Sequence, residues 1–316
     1  MTPTSTKAAL SVPARMGSAT EALDPRYEQL DVWPVPAVLD ALLESQLAAV
    51  AAVRSARDAM ARVVEAALPR LLAGGRLVYA GAGTSGRIAF QDGAELRPTF
   101  DWPEDRLAFL MAGGREALFR AVEGAEDRHE DAEREVEALA LAPNDVLIAL
   151  AASGTTPYTR AAVRSARARA CLTVGIANNP GCPLLEEADL PVLIETGPEA
   201  VSGSTRLKAG TAQKIVLNLL STTLMIRLGR VYRGEMVDML ATNDKLRLRA
   251  ERMLDRLTHA SPDAIRDALA QAGGKVKPAL LILAGMNRTD AETRLAAHDG
   301  NLRAVLDAHH ASGDSV

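Results

Sequence analysis

The chain has 316 residues, of which 48% are hydrophobic, 24% charged and only 3% aromatic, a balance that fits packed Ala-, Leu- and Val-rich helices around a sheet and excludes a disordered chain. Its length suits one α/β domain with an appendage, or two modest domains, and either can bury a sizeable core. A formal net charge of −4 with both signs interspersed offers no field for a nucleic-acid backbone or an anionic membrane surface, so neither partner is expected.

Residues 1–17 ("MTPTSTKAALSVPARMG") lack the apolar centre of a secretion signal and read as a floppy leader, with Met16 as an alternative start. Two isolated cysteines, Cys171 and Cys182, form no framework, which points to a cytoplasmic protein. His129, His259, His298, His309 and His310 make no metal-ligand pattern. From Val38 to Leu72 apolar residues recur at helical spacing, giving one long helix or a pair, stopped by Gly74-Gly75. Five nearly all-apolar runs then read as strands buried on both faces: Arg76 to Ala80, Arg106 to Met111, Asp145 to Ala151, Leu172 to Ala177 and Leu190 to Glu195.

Helical stretches alternate with them: Ser85 to Leu96, Glu116 to Leu141 with a break near Gly124, Tyr158 to Ala170, and a short turn near Pro183 to Ala188. The expected fold is α/β, a doubly wound five-stranded parallel sheet with right-handed crossovers. After Gly203 a long helix opens with Ser204 and Thr205 as cap candidates. Lys208, Lys214, Asn218 and Arg227 interrupt it too often for a bilayer span, so it reads as a buried helix at a subunit interface. From about Glu251 three or so short amphipathic helices, broken at Ser261-Pro262, Gly273-Gly274 and Asn287 to Asp290, form a small helical appendage. The expected organisation is a leader at 1–17, an α/β domain at 18–250 and a small helical domain at 251–316.

Doubly wound sheets bind ligands beyond the carboxyl ends of their strands. There the chain carries Gly81 to Gly86, Gly113-Gly114, Ser153-Gly154-Thr155-Thr156 and Asn178-Asn179. The first turn is formally G-x-G-x-x-G, but the next strand ends in Ala112-Gly113-Gly114-Arg115 and lacks the acidic residue that a dinucleotide ribose requires. Thr84 and Ser85 add hydroxyls to the free N–H groups of the following helix, which suits a single phosphate monoester. The third strand repeats this chemistry in Ser153, Gly154 and Thr155, with Pro157 opening the next helix.

Together "GAGTSGR", "AVEGAED", "AASGTTPY", "GSTRLKAGTAQK" and "ATNDKL" resemble the N-acetylmuramic acid 6-phosphate etherases of the sugar isomerase (SIS) fold family, from about Thr20 to Ala250 and more loosely beyond. The resemblance implies a homodimeric, cofactor-independent lyase that takes a sugar phosphate in cell-wall sugar recycling and releases D-lactate and N-acetylglucosamine 6-phosphate. The family's catalytic glutamates map onto Glu95, the acid assisting lactate departure, and Glu126, the base at C2. The family commonly writes the first site Asp-Ala-Ser-Glu followed by Cys-Pro-Pro-Thr-Phe, whereas this chain has Asp92-Gly93-Ala94-Glu95-Leu96-Arg97-Pro98-Thr99-Phe100.

Glu95 lies ten residues beyond Ser85, about 15 Å along a straight helix, too far for one hexose phosphate to bridge comfortably. It is therefore expected to serve the phosphate site of a partner chain. Ser204, Thr205 and Lys208 cluster at a helix start and could complete an anion site; two readings of Lys208 stay open, a carboxylate or phosphate contact and a plain surface charge. Three other readings stay open on the residues alone: a sugar-phosphate isomerase, a non-catalytic sugar-phosphate sensor whose tail docks on an enzyme, and an NAD(P)-dependent enzyme resting on the glycine motif.

Overall fold

The computed structural model describes residues 18–239 and 244–311. The leader at 1–17 and residues 241–243 of the "ATNDKL" motif lie outside them. Two helices come first, α1 (Val35–Ser55) and α2 (Arg57–Leu72), ended by Gly74 in a left-handed conformation (φ 89°). The sequence left one helix or two open, and the structure has the pair.

Strands and helices then alternate: β1 (Leu77–Gly81), α3 (Gly83–Ala94), α4 (Leu96–Phe100), β2 (Leu107–Met111), α5 (His129–Ala138), β3 (Val146–Ala151), α6 (Pro157–Arg167), β4 (Leu172–Ala177), α7 (Pro183–Glu187) and β5 (Leu190–Leu193). All five strands pair in parallel in the order β2-β1-β3-β4-β5. Parallel strands need covering on both faces, and the side-chain alternation supplies two cores. Leu77, Tyr79 and Ile148 point into a cluster shared with α1, α2 and α8, while Val78, Ala80 and Leu147 meet α5 and α6. Complete burial of residues such as Leu147 and Ile148 stabilises the sheet by about 1.5–3 kcal/mol each.

One connection departs from the expectation. Between Glu116 and Leu141 the chain is a helix only over α5; before it come two short 3-10 turns, Gly114–Leu118 and Ala125–Asp127. Gly113, Gly114 and Gly124 all have positive φ (82°, 66° and 67°), a conformation that breaks the helical path.

Helix α8 (Lys208–Arg227) is the long helix after Gly203, packed by α1, α2 and α3. Ser204 and Thr205 do not cap it. The buried Glu199 carboxylate does, accepting from Lys208 N (2.9 Å) and Ala209 N (2.8 Å). These donors have no acceptor inside the helix, and a charged acceptor satisfies them better than a hydroxyl does. Helix α1 lays Ala41, Ser45, Ala49 and Val53 inward and leaves Leu39, Leu43, Leu47 and Val50 more than half exposed in a stripe. By length and composition α1 could also cross a bilayer.

A hairpin of β6 (Val231–Tyr232) and β7 (Glu235–Met236) leads into the tail, α9 (Asp244–Thr258), α10 (Pro262–Gln271), α11 (Val276–Leu283), α12 (Arg288–Ala297) and α13 (Leu302–Ala311). The tail has its own apolar cluster, running from Tyr232 to Leu306. Ser261 and Asn287 cap α10 and α12 at expected breaks. The break the sequence did not reveal lies between α12 and α13, where Asp299 (φ 53°) and Gly300 (φ 74°) turn the chain. Asp238 ties tail to sheet domain: it accepts from buried Lys277 (2.7 Å) and pairs with Arg230 (3.4 Å), whose guanidinium donates to Phe100 O (2.7 Å).

Candidate active site

The parallel order sets the β1–α3 and β3–α6 turns side by side, because β1 pairs with both β2 and β3. In the first turn the outer glycines of G-x-G-x-x-G serve packing. A Cβ on Gly81 would lie 2.8 Å from Gly86 N, and one on Gly86 would lie 2.8 Å from Gly81 C. Only glycine at both positions lets the strand end touch the first helical turn. Gly83 has positive φ (52°) and open space where a side chain would be. No side chain caps α3, so the N–H groups of its first turn stay available for an anion. Thr84 is half-buried and Ser85 buried at this end.

In the second turn Gly154 adopts φ 71° and would collide with Cys182 Sγ if it carried a Cβ. Ser153 Oγ accepts from Thr155 N (3.2 Å) and Thr155 Oγ1 (3.0 Å), which holds both hydroxyls on one turn. Pro157 occupies the first turn of α6, as its ring geometry favours.

Glu126 stands exposed on the 3-10 turn after β2, anchored by buried Ala125. It lines a cavity of about 260 Å³ together with Gly83, Thr84, Arg87, Ala117, Arg120 and Glu123. Thr84 and Glu126 therefore share one hollow at the carboxyl edge of the sheet. Glu95 does not reach it, being an exposed residue that caps the opposite end of α3.

The α8 end approaches from the other side. A Cβ on Gly210 would lie 3.4 Å from Thr84 Cγ2 and 3.2 Å from Thr205 O, so the first turn of α8 abuts the first turn of α3 with Thr205 next to it. Lys208 is buried rather than a surface charge, and its Nζ donates to Pro198 O (2.7 Å). Burial holds its ammonium below the ordinary lysine value, against the opposing pull of Glu199 and Asp24.

Sequence reasoning missed the strap that braces these loops. Thr20 N donates to Asn179 Oδ1 (3.2 Å), Asn179 Nδ2 returns bonds to Thr20 Oγ1 (3.0 Å) and Ala152 O (2.9 Å), and Ser202 Oγ donates to Glu21 O (2.9 Å). Asn178 and Asn179, which stand at the ligand edge in sequence, are buried braces; Asn178 Oδ1 accepts from Gln213 Nε2 (3.0 Å). No local signal could have paired residue 20 with residue 179.

The departures in the first glutamate motif have local explanations. A Cβ on Gly93 would lie 2.6 Å from Phe109 Cε1, so the Phe109 ring fills the space a methyl group would take. Arg97 pairs with Glu104 on the exposed surface. Asp92 is buried and accepts from Tyr79 OH (3.0 Å), Asn218 Nδ2 (2.8 Å) and Ser221 Oγ (3.3 Å), which fixes α3 against α8.

Sheet order, hydroxyl-rich turns and helical tail define an SIS-type α/β protein. Residues 59–167 match the family model "Glucokinase regulatory protein N-terminal SIS domain", and residues 122–223 match "SIS domain". N-acetylmuramic acid 6-phosphate etherase of Deinococcus radiodurans is 52% identical over 94% of this chain and 98% of its own length. The protein of that name from Cutibacterium acnes is 44% identical over 93% and 97%. A solved phosphoheptose isomerase from Francisella tularensis aligns with 61% of this chain and 100% of its own at 19% identity and a TM-score of 0.49. The chain belongs to the N-acetylmuramic acid 6-phosphate etherase family.

Proposed function

We propose that this chain is a cytoplasmic lyase that cleaves the D-lactyl ether of N-acetylmuramic acid 6-phosphate by elimination and then hydration, giving N-acetylglucosamine 6-phosphate and D-lactate. The observation that carries this reading is the shared hollow of Thr84 and Glu126 beside the Ser153–Thr155 turn, in a chain 52% identical to an etherase. On this reading Thr84, Ser85, Ser153, Gly154 and Thr155 bind the phosphate at the neighbouring β1 and β3 strand ends, and Ser204 and Lys208 close the anion site from the α8 side.

An ether oxygen is a poor leaving group, so the open-chain aldehyde must first acidify C2–H. Glu126 takes that proton, the C3–O bond breaks, and Glu95 protonates the departing lactyl oxygen. Water then adds at C3 of the unsaturated aldehyde and a proton returns to C2. Positioned acid and base groups each contribute roughly 10²- to 10⁴-fold, so two carboxylates suffice for this chemistry.

The length of α3 supports a homodimer in which Glu95 of one chain serves the phosphate site of the other. The exposed stripe Leu39, Leu43, Leu47 and Val50 supports the same arrangement, since such contiguous apolar surface is ordinarily covered by a partner. Incubation with N-acetylmuramic acid 6-phosphate should release D-lactate. Solvent deuterium at C2 without lactate would mark an isomerase instead, and binding without turnover a sensor.

A further inference from the structure

The hollow that holds Thr84 and Glu126 also holds a cation that the phosphate site does not use. Arg87 is half-buried and lines the cavity. Its Nε donates to Ala117 O (2.8 Å), which fixes the guanidinium plane. Among the described residues no carboxylate lies within ion-pair distance of it. Arg120, by contrast, is engaged by Glu116 (2.5 Å).

Placement says what this guanidinium faces. Arg87 follows Gly83 by one helical turn, so both lie on one face of α3, and helical side chains tilt back towards the N-terminus. Over Gly83 there is open space. The Ser153–Thr155 turn lies on the β3 side of Thr84, and the Ala117–Glu126 segment on the β2 side. A sugar phosphate gripped between the β1 and β3 turns therefore extends its other end towards Glu126 and Arg87. On the etherase reading, Glu126 works at C2, and the lactyl group hangs from the next carbon.

We infer that Arg87 holds the lactyl carboxylate of the substrate and so sets specificity for the ether over the lactate-free sugar phosphate. This rests on the function proposed above and adds a residue to it. The phosphate meets hydroxyls, helix N–H groups and Lys208, leaving Arg87, which among the described residues has no ion-pair partner, for the second anion. Arginine suits that role because its planar fork matches a carboxylate in bidentate fashion. Holding the carboxylate also fixes the torsion about the C3–O bond that breaks.

The test compares wild type, Arg87→Gln and Arg87→Lys, measuring dissociation constants by calorimetry for two ligands, N-acetylmuramic acid 6-phosphate and N-acetylglucosamine 6-phosphate. Loss of a charge-assisted bond should weaken the lactyl-bearing ligand roughly 10- to 100-fold in Arg87→Gln. The lactate-free ligand should bind all three proteins equally, which also verifies folding, and Arg87→Lys should recover part of the loss. In turnover KM should rise in parallel while the pH–rate profile keeps its shape. Equal weakening of both ligands, or an unchanged preference, would overturn the inference. Failure of wild type to release D-lactate would instead sink the etherase reading, while the binding comparison still decides the role of Arg87.

Discussion

Thr84 and Glu95 stand at opposite ends of one helix. Helix α3 begins at Gly83 and ends at Ala94, with Glu95 as its cap, so eleven residues at ~1.5 Å each separate the two by about 16 Å. A phosphate bound at one end leaves the carboxylate at the other end beyond reach in the same chain. Mixing Ser85→Ala with Glu95→Ala chains should therefore regenerate intact sites. Random pairing of two inactive parents predicts about a quarter of wild-type activity. If Glu95 worked in its own chain, every site in the mixture would carry a lesion and activity would stay at the parental level.

Gly93 and Phe109 form a matched pair. A methyl group at position 93 would lie 2.6 Å from Phe109 Cε1 and 3.1 Å from Tyr79 Cε2. Gly93→Ala should destabilise the protein by about 1–3 kcal/mol through overpacking, read as a lowered denaturant midpoint. Adding Phe109→Leu should return part of that loss, because the larger ring is what fills the space. Additive losses in the double variant would rule out the compensation.

Asp145 links β3 to the start of β1. Its carboxylate accepts from Arg76 N (2.8 Å), Arg76 Nη2 (2.6 Å) and Ala142 N (2.8 Å). Burial disfavours its charged form, but these bonds prevail and hold it below the ordinary value of 3.8. A carboxylate with a depressed pKa stabilises the fold above its unfolded-state value, and that stability is lost as pH falls through the folded value. Asp145→Asn should cost about 2 kcal/mol at pH 7, since the half-buried Arg76 loses its charged, buried acceptor. The gap between wild type and variant should narrow as pH drops below about 4. A gap independent of pH in urea titrations would exclude this ionic role.

Much of this was legible because parallel strands buried on both faces are continuous apolar runs. Leu172–Ala177 was bounded correctly from composition alone, and the other strands within a few residues. The hydroxyl turns are also legible, because glycine, serine and threonine cluster directly after β1 and β3. What stayed hidden depended on residues distant in sequence. Glu199 caps α8 from beyond the loop that holds Ser204 and Thr205, so the nearest hydroxyls drew the assignment. Asn178 and Asn179 lay on the ligand edge, yet their amides are committed to Ile194 O, Ala152 O and Thr20. Arg87 was visible within "GAGTSGR", but only the structure brings it beside Glu126 in one hollow.

The role of Glu126 is best probed by running the reaction on N-acetylmuramic acid 6-phosphate in ¹⁸O-labelled heavy water. Elimination followed by hydration leaves solvent oxygen at C3 and deuterium at C2 of the product, with one D-lactate released per turnover. Glu126→Gln should lose at least ~10²-fold in kcat while still binding the sugar phosphate. Unlabelled C3 in the product, or full turnover by Glu126→Gln, would contradict a mechanism built on that carboxylate.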